Sequence, residues 1–433
     1  MKRIAPLFLL LMSFSALYSQ ISKVENSITK SVDDNNPEYV QLLKDIVNMN
    51  SGTMNFEGVK AVGMKLKPYF EALGLDTRWE SGDAFNRAGH LIAVNRGSKG
   101  PKMLLIGHLD TVFEPDNPFQ TYRMVNDSLI CGPGVIDMKG GDIIILAALR
   151  ALKEAGVLRK MQIEVVLTGD EEKSGSPLNL SKQAIIEASN RADIALAFEN
   201  ADGDPRTIVV TRRGSLGWKL EVKGNAAHSS QIFTERVGVG SVYETSRILT
   251  AFYNQLANEK NLTFNPGVIL GGTSVSYDEN KNGGFAYGKS NVVAQQTIVK
   301  GDIRAVSLEQ LAKAKGLMTQ ITSENMPGAS AELTFSQGGY PPLTETEGNH
   351  KLLGYYSKVS EDLGYGSVEP VHPRKAGAAD VSFTNGLVDM AIDGLGLSGT
   401  DDHTISETGN LNYLPIQTKR AAILMYRISY NKL

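Results

Sequence analysis

The chain has 433 residues, of which 42% are hydrophobic and 21% charged, with a formal net charge of -3. That length exceeds what one core usually supports, so two domains are expected, and the composition is that of a soluble globular protein. A near-balanced charge without long runs of one sign argues against nucleic acid or a membrane surface as partner.

Lys2 and Arg3 precede an apolar run over residues 4–17 that ends in Tyr18-Ser19-Gln20. A short basic start, an apolar stretch of this length and a small residue at its end predict a signal peptide over residues 1–19. The mature protein is then secreted or periplasmic, with no membrane contact after cleavage. Cys131 is the only cysteine, so stability must come from core burial rather than an internal disulfide. Cys131 itself reads as a small buried hydrophobe.

Residues 21–36 are polar and predict a loose lead-in. Asn36 as cap and Pro37 at the first helical position start a helix over 37–48, and the apolar spacing predicts another over 56–73. The run 102–107 is a strand leading into His108-Leu109-Asp110. A helix over 142–155, ended by Gly156, follows, and then buried strands over 162–168 and 193–198. Strands alternating with helices predict an α/β layer with a mainly parallel central sheet. Most of the acidic and histidine motifs so far fall just after a strand, where open α/β sheets place their sites.

The rhythm changes after Arg213. Strands over 216–223, 266–276 and 291–305 and helices over 238–258 and 308–321 predict an inserted α+β domain, residues 214–327. Residues 36–213 and 328–433 form the main domain, the second part adding a helix, Gly-rich loops, His403 and a last helix from Pro415.

Glu171-Glu172, in Asp170-Glu171-Glu172-Lys173-Ser174-Gly175-Ser176, is the most informative pair. Adjacent carboxylates after a buried strand repel each other and lose solvation unless a cation offsets them or a helix N-terminus softens one charge. One of the pair can bind metal while the other acts as base toward metal-activated water. In His108-Leu109-Asp110 a carboxylate stands two residues from an imidazole it can support, though a surface His beside an acid has the same spacing. Asp137 follows Gly132-Pro133-Gly134 and precedes Met138-Lys139-Gly140-Gly141; it can bridge two metals or cap a helix. Glu199 adds an acid at a strand end. His228 lies in the inserted segment, where Asn291 and Arg304 on later strands can join it in holding an anionic substrate.

In their order along the chain, these motifs resemble the metallopeptidase family containing glutamate carboxypeptidase, aminoacylase, acetylornithine deacetylase, succinyl-diaminopimelate desuccinylase and tripeptidase T. The resemblance runs from about Tyr39 to the C-terminus and is nearest to the glutamate carboxypeptidases. It rests on His108-Leu109-Asp110-Thr111, on Gly132-Pro133-Gly134 through Gly141, and on Asp170 through Ser176. The resemblance implies a two-zinc catalytic domain, with cobalt or manganese as substitutes, and an inserted lid domain that forms a homodimer. It implies that Asp137 bridges the metals, that His108 and Glu199 complete one site, and that Glu172 and His403 complete the other. Glu171 is then the general base, Asp110 orients His108, and His228 reaches the partner's active site. Asn291 and Arg304 grip the substrate carboxylate, and Gly377 lies beside the substrate. Two departures stand out: Tyr340 where these carboxypeptidases tend to carry an Arg before Pro, and Ala379 where a hydroxyl residue is common.

The expected reaction is hydrolysis of an amide bond near a free carboxylate, in a peptide or an N-acyl amino acid. A deacylase with the same chemistry and a different pocket is the alternative. A non-catalytic binding relative is disfavoured by the complete set of ligands and Glu171.

Overall fold

The computed structural model describes residues 21–279 and 281–432, so the signal-peptide expectation lies outside the described residues. The first helix, α1 (Lys23–Val47), corrects the expectation of a loose lead-in and of a start at Pro37. Ser22 and Glu25 close a capping box at its start: the Glu25 N–H donates to the Ser22 hydroxyl, and the Ser22 N–H donates to the Glu25 carboxylate. Pro37 lies in the helix interior. It removes one main-chain hydrogen bond, but Ile28, Val32, Tyr39, Leu42, Leu43 and Ile46 make a continuous buried stripe that holds the helix on both sides of it. Arg427 then bonds Glu25 at 2.6 Å and Asp362 at 2.7 Å, tying the start of α1 to the C-terminal region.

Helix α2 (Phe56–Leu73) has the expected bounds and ends at Gly74 in the left-handed region. Strands β1 (Asp76–Ser81), β2 (Gly89–Arg96) and β3 (Lys99–His108) come next, then helix α3 (Gly140–Glu154) and strands β4 (Met161–Thr168) and β5 (Ile194–Ala197). The sheet runs β1-β2-β4-β3-β5 and closes with a late strand at Met390–Ile392. It is parallel from β4 to that last strand and antiparallel at the β1-β2 end.

Alternation along the strands sorts the core onto the two faces. Leu91, Met103, Leu105, Val165 and Leu196 join the large core with α1, α2 and α3. Ile92, Leu104, Ile106, Val166 and Ala195 face a smaller cluster completed by Ile185 and Val381. A strand buried on both sides reads as a near-continuous apolar run, as at Met103-Leu104-Leu105-Ile106.

The inserted segment builds a separate antiparallel sheet. Its strands are β6 (Leu216–Gly224), β7 (Thr263–Gly272), β8 (Gln296–Arg304) and β9 (Ala329–Phe335), in the order β7-β8-β6-β9. Helices Gly240–Leu256 and Leu308–Ser323 pack on it around Trp218, Leu220, Phe252, Val299 and Met318. Strand β9 lies past the expected boundary at 327, because its alternating exposed face carries too few apolar residues to stand out in sequence. Strand β8 begins at Gln296, so Asn291 sits in the loop before it rather than on a strand. Among the described residues, no helix is long and apolar enough to cross a membrane.

Replacing Ile28, fully buried in α1, by Ala should lower the unfolding free energy by about 2–5 kcal/mol. Denaturant unfolding measures this, and an unchanged midpoint would return residues 21–36 to a loose lead-in.

Candidate metal centre

Three parallel strands deliver side chains to one edge of the central sheet. His108 is the last residue of β3; Glu171 and Glu172 follow β4 across Gly169-Asp170; Glu199 follows β5 across Phe198. Asp137 comes from the turn that enters α3, next to a cis Asp137–Met138 peptide bond. A Cβ at Gly141 would lie 2.0 Å from the Phe198 carbonyl oxygen, so only glycine lets that turn lie against the strand end bearing Glu199.

His108 Nε2 lies 3.0 Å from Asp137 Oδ1 and 3.4 Å from Glu199 Oε1. His403 Nε2 lies 2.9 Å from Asp137 Oδ2 and 3.2 Å from Glu172 Oε2. Asp137 thus turns one oxygen to each imidazole. In each triad, His108-Asp137-Glu199 and Asp137-Glu172-His403, the donor atoms lie within 4.8 Å of one another. Glu172 Oε1 is buried and without a hydrogen-bond partner. Carboxylate oxygens and imidazole nitrogens converging around an orphaned acceptor fit divalent cations of the zinc class.

As protein groups alone, the cluster is electrostatically unbalanced. Burial raises Glu171 well above its ordinary range, lifts Glu172 to about 8 and lifts Glu199 to about 7, neighbouring carboxylates adding to each. Against the burial that would raise it, hydrogen bonds from His108 and His403 hold Asp137 low. Bonds to Asp137 and Glu172 lift His403 to about 11.

Buried partners, most of them not foreseen from the sequence, fix these groups. The Asp110 carboxylate accepts the N–H groups of Glu171 and Glu172 at 3.0 and 3.1 Å and the Thr53 hydroxyl at 2.6 Å. His108 Nδ1 bonds the Asp110 main-chain carbonyl at 3.0 Å, with the carboxylate 3.4 Å away, so both ends of Asp110 hold the ring. Asp393 accepts the Glu199 N–H at 3.1 Å and pairs with buried Arg212 at 2.6 Å, and Arg212 also bonds the Gly377 carbonyl. Behind Glu171, Lys182 sits fully buried between Asp170 and Asp380, at 3.2 and 3.0 Å. The Tyr340 hydroxyl donates to the Glu171 carbonyl at 2.9 Å and lies 3.3 Å from Asp380. Nothing in Lys173 to Lys182 marks Lys182 as buried; its partner Asp380 stands about two hundred residues further on.

A cleft of about 480 Å³ opens over the cluster, lined by Asp137, Glu171, Glu172, Glu199 and His403 with Arg304, Tyr340 and Gly377. His228 and Asn291 are exposed on the second sheet's side and do not line it; His228 Nδ1 lies 2.9 Å from the Ser230 hydroxyl.

The profile of "Peptidase family M20/M25/M40" matches residues 104–427. Carboxypeptidase G2 of Pseudomonas sp. (strain RS-16) is 25% identical over 426 residues, 97% of this chain and 96% of that protein. Succinyl-diaminopimelate desuccinylase of Bradyrhizobium sp. (strain ORS 278) is 26% identical over 348 residues, 75% of this chain and 82% of that one. The crystal structure of aminopeptidase PepT from Bacillus cereus ATCC 10987 superposes with a TM-score of 0.72 at 19% identity, over 91% of this chain and 99% of that one. At that identity the likeness is one of fold.

Ligation requires protons to leave Glu172, Glu199 and His403, which lie at about 8, 7 and 11. Raising the pH from 6 to 8.5 should therefore raise zinc affinity, by about tenfold per pH unit for each proton released. Calorimetric titration in buffers of different ionisation enthalpy measures both quantities. An affinity flat across that window, with no proton release, would contradict the assignment.

Proposed function

The chain belongs to peptidase family M20/M25/M40 and is a hydrolase, and from that premise we propose that it cleaves an amide bond adjacent to a free carboxylate, in a peptide or an N-acyl amino acid. The carrying observation is Asp137 shared between the His108-Glu199 and His403-Glu172 pairs, with Glu171 in the same cleft. When bound, two divalent ions, zinc by family likeness, supply Lewis acidity toward a carbonyl oxygen and toward water.

The chain's own groups do the rest. Glu171, its carboxyl raised by burial, takes the proton of the attacking water and returns it to the leaving amine nitrogen. Asp110 and Tyr340 fix its main chain from two sides, so the carboxylate is aimed before substrate arrives. Arg304 binds the substrate carboxylate at the other end of the cleft.

His228 stabilises the developing oxyanion from a second copy of the chain. Its exposure, its absence from the lining of its own chain's cleft and the separate core of the inserted segment support a lid that pairs two chains. Export rests on residues 1–19, and amino-terminal sequencing of the mature protein tests it.

N-acyl amino acid hydrolysis is the second reading. It is favoured by Tyr340, which lines the cleft where a cation would suit a glutamate side chain. Turnover of a panel of dipeptides against N-acyl amino acids separates the two.

Glu171→Gln should keep its metal and lose activity by about a hundredfold or more. Metal lost in Glu171→Gln but kept in Glu172→Gln would reverse the two roles. Mixing inactive His228→Ala with inactive Glu171→Gln should restore some turnover once subunits exchange, because one site of the heterodimer then holds both residues. Proven exchange with no recovered activity would defeat the shared site.

A further inference from the structure

Glu407 is fully buried four residues after His403 and has no part in the reaction described above. Its carboxylate faces main-chain N–H groups. Oε2 accepts the Gly134 N–H at 2.9 Å, and Oε1 accepts those of Ile136 at 2.8 Å and Asp137 at 3.2 Å. Its own carbonyl accepts the Gly132 N–H at 3.3 Å. One side chain thus grips the turn that presents Asp137, from a segment more than two hundred and fifty residues away.

The other end of that grip is a turn that needs holding. Asp401 and His403 both have left-handed backbones, at φ 63° and 59°, a conformation disfavoured for residues other than glycine. Local bonds shape the turn: the Thr404 N–H and hydroxyl reach the Asp401 carbonyl at 3.2 and 2.8 Å, and the Glu407 N–H reaches the Thr404 carbonyl at 3.1 Å. The His403 side chain is 54% exposed, so packing does not fix it. The flanking strands Gly399–Thr400 and Thr408–Asn410 pair with each other, and the second pairs with Leu129–Cys131; Glu407 adds the side-chain link from this turn to the main chain at Asp137.

We propose that Glu407 is the positioning residue of the Asp137-Glu172-His403 triad, a carboxylate that fixes the distance between Asp137 and His403 without ligating the metal. Oε1 accepts two main-chain N–H groups and Oε2 one, and Glu407 belongs to neither group of converging donor atoms. The inference rests on the cleft being a metal centre, but it assigns a residue and an effect which that reading does not.

In Glu407→Gln the amide nitrogen must meet a main-chain N–H, donor against donor, so the grip loosens while the side-chain volume stays. Competition against a chromogenic zinc chelator should show two binding steps in the wild-type protein. The variant should bind at the weaker step about 10- to 100-fold less tightly, the usual effect of removing a group that orients a ligand. Its unfolding midpoint should also rise less on zinc addition than the wild-type midpoint does. Glu407→Asp keeps the charge, shortens the reach and should weaken the same step. Wild-type protein that binds no zinc would sink the metal centre itself. Two unchanged steps in a folded Glu407→Gln would overturn only the positioning role. Failure of both variants to fold would assign Glu407 to the fold and overturn the proposal as well.

Discussion

One carboxylate between two imidazoles is the constraint on which this structure turns. Asp137 offers an oxygen to His108 and another to His403, with Glu199 and Glu172 closing the two triads. Three carboxylates drawn together under partial burial repel one another, and burial penalises each charge further. Protons relieve part of this, as the raised Glu172 and Glu199 show. A cation relieves it better, because each donor then has a partner and the orphaned Glu172 oxygen is satisfied.

Holding such a cluster together without a cation needs scaffolding that does not rely on the donors attracting each other. The main chain supplies it. Asp110 binds the N–H groups of Glu171 and Glu172, Asp393 that of Glu199, and Glu407 that of Asp137. Each of these three supporting carboxylates is met by oriented donors, and the main chain of Asp137, Glu172 and Glu199 is fixed before any ion arrives. Lys182 and Arg212 carry the compensating positive charge one layer further out, paired with Asp170, Asp380 and Asp393. Breaking one partner of such a buried pair leaves an uncompensated charge, which is why these pairs hold geometry even where their net stabilisation is small. The apolar faces of the central sheet carry the stability that this polar edge does not.

The legible parts of the sequence were those where one physical signal dominates. Strands β3 and β4 are apolar runs that end in a motif, and His108, Glu171 and Glu172 were found from that adjacency. The bounds of α2 follow from apolar spacing and Gly74. The start of α1 was missed because its buried stripe is interleaved with polar residues and anchored by Arg427, about four hundred positions away. Separations of roughly two hundred positions or more likewise hid Glu407, Lys182 and Asp393, each of which resembles an ordinary surface charge until its partner is known. Grouping the five candidate ligands came from the family resemblance, and the structure brings them together in two triads that share Asp137, four of the five lining one cleft and His108 buried. His228 and Asn291 stay outside that cleft within one chain.

The most direct test of the shared-carboxylate account is metal content by mass spectrometry on purified mature protein, wild-type and His403→Ala, with activity measured on the same samples. The account predicts about two divalent ions per wild-type chain, as expected of a two-metal site. In His403→Ala it predicts about one ion or fewer, with turnover lost. Full activity in a preparation stripped of metal would contradict it, and so would an undiminished ion count in His403→Ala.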